Sequence, residues 1–338
     1  MNKQALETIA QAMVADGKGI LAADESTGTI KKRFDSINVE STEDSRRDYR
    51  EMLFRTEAAM RAHISGVILF DETIRQKAAD GTPLTQLITD AGSLPGIKVD
   101  AGAKDLAGHA GEMVTEGLDG LRERLAEYHG LGAKFAKWRA VINIAEGIPS
   151  AACLTANTHA LARYAALCQE AEIVPIVEPE VIMDGGHSVE RCYEVTSAAL
   201  AQLYAQLAEQ DVHLEGTILK PNMVVSGTAH ADQAGVQQVA EMTIDCFKKC
   251  VPEAVPGIVF LSGGQSDEDA TAHLDAMNKI GGLPWKLSFS YGRALQAAPL
   301  KTWLGEAGNV ADAQAAFAHR AKMNGLAAQG AWDAGMEA

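Results

Sequence analysis

The most reactive candidate in this sequence is a lysine at the end of a short apolar run. In the stretch EGTILKPNM, residues 215–223, Lys220 follows isoleucine and leucine and precedes Pro221. Desolvation, together with nearby cations such as Lys137, would favour the neutral amine of such a lysine. A neutral amine can attack a carbonyl carbon and form a Schiff base. Because Pro221 biases the preceding residue toward extended backbone, Lys220 is predicted to lie on a strand.

Carboxylates for proton transfer occur in two other runs. Glu178 and Glu180 lie two residues apart in VPIVEPE and are therefore expected on one face of a strand. Imine formation, dehydration and carbon–carbon cleavage all move protons. A carboxylate near cations can serve these steps, first as a general acid and then as a base. Asp24 in AADEST could bind or deprotonate a substrate hydroxyl. Structural alternatives stay open at this point, namely an ion-pair network of these acids with Lys220 and a helix N-cap at Asp24.

Two glycine-bearing motifs, LSGGQS and SYGRAL, predict a phosphate site. Each would lie at a strand-to-helix turn, where backbone N–H groups and a helix N-terminus bind phosphate. In an eight-stranded α/β barrel this site is often built after the seventh and eighth strands. The candidate phosphate ligands are Ser262, Gly263, Ser290, Gly292 and Arg293. Lys98, Arg139 and Arg33 remain for a second anionic group, so a phosphorylated sugar is the expected substrate.

Composition narrows the class of protein further. The 338 residues carry a formal net charge of −15, which argues against nucleic acid or an anionic membrane as a partner. No apolar run approaches the roughly 18 residues of a membrane span, and the N-terminus lacks a secretory signal, so a cytoplasmic protein is expected. No His-x-x-x-His cluster is present and the five cysteines form no Cys-x-x-Cys pair. We therefore expect neither a metal nor a cofactor.

Eight short runs with strand character alternate with segments of helical periodicity. The runs are residues 19–25, 66–72, 96–102, 133–142, 174–181, 216–222, 257–264 and 286–292. This alternation predicts parallel strands joined by helical crossovers, and eight such units predict a (β/α)₈ barrel. No linker divides the chain, so we expect a single domain over residues 1–338, with a short tail from about residue 328. Polar side chains fall at the ends of all eight runs, where a barrel forms its active site, and the second run ends in Asp71 and Glu72.

At these positions the sequence resembles the class I fructose-bisphosphate aldolases. The matching motifs are GKGILAADESTG, SGVILFDET, GIKVD, FAKWR, VPIVEPE, LEGTILKPNMV, FLSGGQS and FSYGRALQ, in the family's order. They extend from about Leu6 to Gly330. The resemblance implies reversible cleavage of fructose 1,6-bisphosphate to dihydroxyacetone phosphate and glyceraldehyde 3-phosphate, as in glycolysis and gluconeogenesis, without a metal. It also implies a homo-oligomer, with a tetramer as the expected size.

The resemblance further implies a role for each matching residue. Lys220 would be the Schiff-base nucleophile, Glu178 the acid in carbinolamine dehydration and Asp24 the group acting at the C4 hydroxyl. Lys137 and Glu180 would support charge and proton transfer. The C1 phosphate would meet the five glycine-motif ligands named above, and the C6 phosphate would meet Ser26, Arg33, Lys98 and Arg139. Thr29 stands where relatives have a serine, which keeps the hydroxyl.

The last residues depart from the family's pattern. Animal and plant members end in a tyrosine that aids proton exchange on bound dihydroxyacetone phosphate, whereas this sequence ends at Ala338 without one. Another group or water would then transfer that proton, or the exchange would be slower.

Two other functions are alternatives to aldol cleavage. A phosphosugar isomerase would leave Lys220, Lys137 and Asp24 without a role. A catalytically retired barrel acting as a binding scaffold would tolerate the loss of Lys220, Glu178 or Asp24, and all three are present.

Overall fold

The computed structural model describes residues 1–337, and ten strands occur among them. They are β1 (Gly19–Ala23), β2 (Ile64–Leu69), β3 (Leu94–Lys98), β4 (Gly102–Asp105), β5 (Met113–Glu116), β6 (Phe135–Ile142), β7 (Val174–Val181), β8 (Ile218–Leu219), β9 (Gly257–Phe260) and β10 (Lys286–Tyr291). Eight of them close a parallel barrel in the order β1-β10-β9-β8-β7-β6-β3-β2. The predicted (β/α)₈ fold is confirmed.

Helices surround the barrel and cover one of its ends. They are α1 (Lys3–Met13), α2 (Thr27–Asp35), α3 (Glu43–Phe54), α4 (Glu57–His63), α5 (Asp71–Arg75), α6 (Leu84–Asp90), α7 (Leu121–Gly130), α8 (Ala151–Glu170), α9 (Val189–Glu209), α10 (Val236–Cys250), α11 (Asp267–Ile280), α12 (Arg293–Trp303) and α13 (Val310–Ala327). None of the helices within residues 1–337 is long and apolar enough to cross a membrane.

Apolar side chains fill the barrel interior and the layer between strands and helices. The interior cluster includes Ile20, Phe135, Ile176 and Ile218, and Leu6 and Met13 of α1 pack against it. The ring of Phe135 occupies the space beside Gly96, where a Cβ atom would collide with it. This packed interior leaves the active site to the loops and strand ends at the opposite mouth.

Two strand features differ from the prediction. The antiparallel hairpin of β4 and β5 lies outside the barrel and was not predicted. The run predicted over residues 216–222 forms only the two-residue strand β8. The Thr217 N–H bonds to Leu214 in a preceding 3₁₀ turn, and Pro221 has no N–H for the ladder. The Lys220 N–H still donates a hydrogen bond to the Val177 carbonyl at 2.9 Å, so this lysine lies beside β7 in the extended backbone that the sequence predicted.

The segment after α13 packs against the helices. The Trp332 indole is largely buried and its backbone N–H bonds to Asp275 at 2.9 Å. Glu337 accepts hydrogen bonds from the Trp332 ring N–H at 3.0 Å and from Arg320. These contacts hold the end of the described chain against α11 and α13.

Candidate active site

A cavity of about 650 Å³ opens at the carboxyl ends of the barrel strands. Every site residue predicted from the sequence lines it: Asp24, Ser26, Arg33, Lys98, Lys137, Arg139, Glu178, Glu180, Lys220, Ser262, Gly263, Ser290, Gly292 and Arg293. The volume lies within the range of small-molecule sites. Strand alternation explains the clustering, because residues two positions apart on a strand point to the same side. Lys137 and Arg139 are such a pair on β6, and Glu178 and Glu180 are such a pair on β7.

Two lysines and two carboxylates form the buried centre of the cavity. The Lys220 Nζ lies 3.3 Å from Glu178 Oε1. The Lys137 Nζ lies 2.7 Å from Asp24 Oδ2 and 3.5 Å from Glu178 Oε2. Lys220, Lys137 and Glu178 are each no more than 4% exposed. Glu178 therefore lies between the two amines, and its Oε2 has no hydrogen-bond partner in the described structure.

The charges of Lys137 and Asp24 stabilise each other. Burial by itself would raise the pKa of Asp24, but the neighbouring ammonium groups of Lys137 and Lys220 outweigh burial and hold this pKa at about 2. Burial likewise opposes the charge of Lys137, yet the carboxylates of Asp24 and Glu178 raise the pKa of Lys137 above its usual value. Lys137 is thus a permanent cation at neutral pH.

Asp100 is a site residue that the sequence analysis missed. Its carboxylate lies 2.6 Å from Lys98 Nζ and 4.0 Å from Lys137 Nζ, and it accepts the backbone N–H groups of Arg139 at 3.3 Å and Gly102 at 3.1 Å. Asp100 thereby joins the end of β3 to the end of β6. Its spacing of two residues after Lys98, in GIKVD, was the signal that could have identified it.

Arg139 makes a close ion pair with Glu180 at the mouth of the cavity. Burial would lower the pKa of the Arg139 guanidinium, but the Glu180 carboxylate more than compensates and raises it. The Arg139 side chain remains 41% exposed, whereas that of Glu180 is 8% exposed. The guanidinium is therefore accessible to an anionic group entering the cavity.

Glycines and serines form the opposite side of the cavity. Gly263, after β9, has a φ of +27°, and Gly292 forms the N-terminal cap of α12 without a side-chain cap bond. The Ser290 hydroxyl is buried and has no hydrogen-bond partner in the described structure. Arg293 begins α12 and lines the same space. Free hydroxyl and N–H donors beside a guanidinium form an arrangement suited to a phosphate.

Glu25 is a second residue that the sequence analysis did not select. It lies beyond the end of β1 and is buried, with Arg33 at 2.6 Å, Gln296 donating at 2.8 Å and Arg50 at 3.8 Å. The Arg33 guanidinium lies 3.6 Å from the position that a Cβ atom would take at Gly292. Glu25 thus holds Arg33 against the phosphate-binding side of the cavity.

One prediction about the strand ends is wrong. Asp71 and Glu72 do not end β2 in the cavity but begin α5 outside it. Asp71 accepts hydrogen bonds from Arg75 at 2.9 Å and from the Tyr128 hydroxyl at 2.8 Å. Glu72 pairs with Arg46 at 2.9 Å. Acidic residues in the first turn of a helix interact favourably with its dipole, and this explains their position.

A buried amine beside a carboxylate, in a cavity at the mouth of a (β/α)₈ barrel that is also lined by arginine and lysine side chains, has the chemistry of an enzyme that acts on an anionic carbonyl compound. Comparison with known proteins gives the family. The family model "Fructose-bisphosphate aldolase class-I" matches residues 5–338. The chain belongs to the class I fructose-bisphosphate aldolase family. Its reaction is therefore the reversible aldol cleavage of fructose 1,6-bisphosphate, a lyase reaction of glycolysis that uses a Schiff base and requires no metal.

Individual relatives agree over nearly the whole chain. The chain is 61% identical to a probable fructose-bisphosphate aldolase class 1 of Xanthomonas campestris pathovar campestris, over 98% of this chain and 99% of that one. It is 52% identical to the cytoplasmic isozyme of Spinacia oleracea, over 98% and 94% of the two chains. A solved structure of the Plasmodium falciparum aldolase, in complex with TRAP and a small-molecule inhibitor, superposes with a TM-score of 0.96 at 47% identity, covering 98% and 96%.

Proposed function

We propose that Lys220 is the amine that forms the Schiff base. The observation that carries this proposal is the unequal environment of the two buried lysines. Among residues 1–337, Lys137 has three carboxylates within 4.0 Å, whereas Lys220 has Glu178 alone, at 3.3 Å. Lys220 is thus the less tightly paired of the two amines, and its Nζ is the one that we assign to attack on a carbonyl carbon. Lys137, whose pKa is raised, keeps its proton and acts as a cation.

The proposed reaction assigns a proton transfer to each neighbouring acid. Glu178 takes a proton from the Lys220 ammonium 3.3 Å away, and the resulting amine attacks the C2 carbonyl of the open-chain ketose to form a carbinolamine. Glu178 then returns that proton to the carbinolamine hydroxyl, which leaves as water and gives the iminium. Asp24 then takes the proton of the C4 hydroxyl. The C3–C4 bond breaks, its electron pair moves to the iminium and gives an enamine, and the aldehyde leaves. Water delivers a proton to C3 of the enamine, Asp24 releases the proton it took to solvent, and hydrolysis of the imine releases dihydroxyacetone phosphate and restores Lys220. Lys137 and Glu180 stabilise the changing charges.

We assign the two phosphates to opposite sides of the cavity. The C1 phosphate contacts Ser262, Gly263, Ser290, Gly292 and Arg293. The C6 phosphate contacts Ser26, Arg33, Lys98 and Arg139. The support is the order of strands in the barrel, which places β9 and β10, before the glycine-rich turns, across from β6 and β3, which carry Arg139 and Lys98. Because Arg33 also borders Gly292, it can contact the phosphate on either carbon.

Two matched variants test the assignment of the nucleophile. Lys220→Arg keeps a positive charge but removes the primary amine, so activity and borohydride-trappable adduct are both expected to fall to background. Lys137→Arg replaces a cation with a cation and should still yield trapped adduct, although more slowly. Equal trapping by Lys220→Arg and the unmodified protein would refute the proposal. A variant that unfolds is recognised by circular dichroism before either assay.

We also propose a cytoplasmic homo-oligomer without nucleic-acid or membrane partners. The formal charge of −15 supports the exclusion of polyanionic partners. The printed name of the Spinacia oleracea relative, a cytoplasmic isozyme, supports the location. The family resemblance supports a tetramer. Size-exclusion chromatography with light scattering measures the mass directly, and a mass near 35.8 kDa, that of one chain, would exclude an oligomer.

A further inference from the structure

The backbone ladder between β7 and β8 ends where the proposed reacting groups begin. Val177 pairs with Leu219, and continuing this parallel register by one residue sets Glu178 opposite Lys220. The Lys220 N–H donates to the Val177 carbonyl at 2.9 Å. The 3.3 Å contact between the Lys220 amine and Glu178 therefore lies directly at the end of the regular ladder.

Both strands continue with a proline at the next position. Pro179 lacks an N–H group, so β7 cannot donate a ladder bond to β8 at this step. Pro221 faces the other neighbouring strand, where its carbonyl accepts the Leu261 N–H at 3.1 Å. The next N–H of β7 that bonds across to this segment belongs to Val181, and its acceptor is a side chain: the Oδ1 of Asn222, at 3.1 Å. The side-chain amide of Asn222 thus replaces a backbone hydrogen bond between the two strands.

Asn222 is itself fixed by a third element. Its Nδ2 donates to the Thr196 hydroxyl of α9 at 3.1 Å and to the Met223 carbonyl at 3.0 Å. Asn222 and Thr196 are 3% and 1% exposed, so solvent does not compete for these bonds. Because α9 connects β7 to β8 in the chain, this single amide joins all three elements of one βαβ unit at the level of the cavity.

We propose that Asn222 is a positioning residue for imine chemistry, which rests on the proposed role of Lys220. Glu178 is carried by β7, and Lys220 belongs to the segment that leaves β8. With Pro179 unable to donate, the Asn222 amide holds these two backbones together beyond the end of the ladder. Its loss would let the segments separate and lengthen the contact between the amine and the carboxylate. A misplacement of about 1 Å can reduce the rate about a hundredfold.

The position of Asn222 predicts a selective kinetic effect. Neither phosphate is assigned to Asn222, and it does not line the cavity. Asn222→Ala should therefore slow imine formation with dihydroxyacetone phosphate about 10- to 100-fold, measured by timed borohydride quenching at saturating ligand. The KM for fructose 1,6-bisphosphate should change little by comparison. Thr196→Val removes the hydroxyl contact on α9 and leaves the 3.9 Å contact of the Asn222 amide with Cys192 Sγ, so it should slow trapping less. Thr196→Ser should restore the rate by keeping the hydroxyl.

Asn324 provides the matched control. It is a fully buried asparagine that accepts from Thr271 at 2.8 Å and donates to the Arg320 carbonyl at 3.0 Å, bridging α11 and α13. Asn324→Ala removes a comparable buried amide without touching β7 or β8, and its trapping rate should stay close to that of the unmodified protein. Urea titrations of each variant show whether the two asparagine variants lose similar stability.

The outcomes separate this inference from the assignment of Lys220. If the unmodified protein carries its label on Lys220 and only the Asn222 and Thr196→Val variants trap slowly, the positioning role stands. If Asn222→Ala traps as fast as Asn324→Ala, Asn222 is merely structural and the inference is wrong. If Asn222→Ala fails to fold, the contrast between Thr196→Val and Thr196→Ser decides, and equal rates for these two overturn the inference. A label on any other residue overturns the assignment of Lys220 instead.

Discussion

Replacing Asp24 with asparagine tests the electrostatic centre of the site. Asp24→Asn keeps the side-chain shape and removes the charge that lies 2.7 Å from Lys137. The pKa of this carboxyl is held at about 2, against an ordinary value of 3.8. At about 1.36 kcal/mol for each pH unit, this difference corresponds to roughly 2 kcal/mol of folding free energy at neutral pH. The variant should be less stable by about that amount.

The pH dependence of this loss follows from the sign of the shift. A carboxyl whose pKa is lowered by folding contributes fully above its unfolded value, here 3.8, and loses that contribution as the pH falls toward about 2. Urea unfolding should therefore show a constant difference between the two proteins from about pH 8 to pH 5. The difference should shrink only below about pH 4. Asp24→Asn should also abolish cleavage while still allowing borohydride trapping of the imine.

Asp80 offers a surface control for the same measurement. Its pKa is also lowered to about 2, chiefly by hydrogen bonds from Thr82 and Arg55, but its side chain is 54% exposed. Solvent screens such pairs, so Asp80→Asn should cost less stability than Asp24→Asn. Equal losses for the two variants, or an Asp24→Asn difference that varies between pH 8 and pH 5, would refute the proposed buried charge network.

Three further results are expected. Lys137→Met leaves the carboxylates of Asp24, Glu178 and Asp100 without their shared cation, so urea unfolding should show a larger loss than Asp24→Asn, about 3–5 kcal/mol. Arg139→Gln, which keeps a donor for Glu180, should lower kcat/KM for fructose 1,6-bisphosphate about 10- to 100-fold. The kcat/KM for fructose 1-phosphate should change little, because that substrate lacks the C6 phosphate. Gly263→Ala would place a Cβ against Met183 and Leu261 at a φ of +27°, so steady-state kinetics should show a raised KM for both substrates.

The strand-end chemistry could be predicted because it depends on local rules. Alternation along β6 and β7 places Lys137 with Arg139 and Glu178 with Glu180, and the structure has these pairs facing one cavity. The same reasoning failed where regular strand geometry stops. Asp100 lies beyond the end of β3, and only its two-residue spacing from Lys98 indicated that it could share the cavity. Glu25 lies beyond the end of β1, and no comparable spacing identifies it.

Interactions between distant segments could not be predicted from one sequence. Asp71 and Glu72 looked like strand-end acids, but the chain turns into α5 at Asp71, and their partners Tyr128 and Arg46 come from other helices. The brevity of β8 had a visible cause in Pro221. The compensating bond from Val181 to Asn222 joins residues 41 positions apart and needed the folded structure to be recognised.

The most direct test of the account is chemical trapping of the imine. The protein is incubated with dihydroxyacetone phosphate in the presence of EDTA, reduced with borohydride, digested and analysed by mass spectrometry. A single adduct is expected on the peptide that contains Lys220, with Lys137 unmodified. A label on Lys137, or no label together with activity that EDTA abolishes, would contradict the assignment of Lys220.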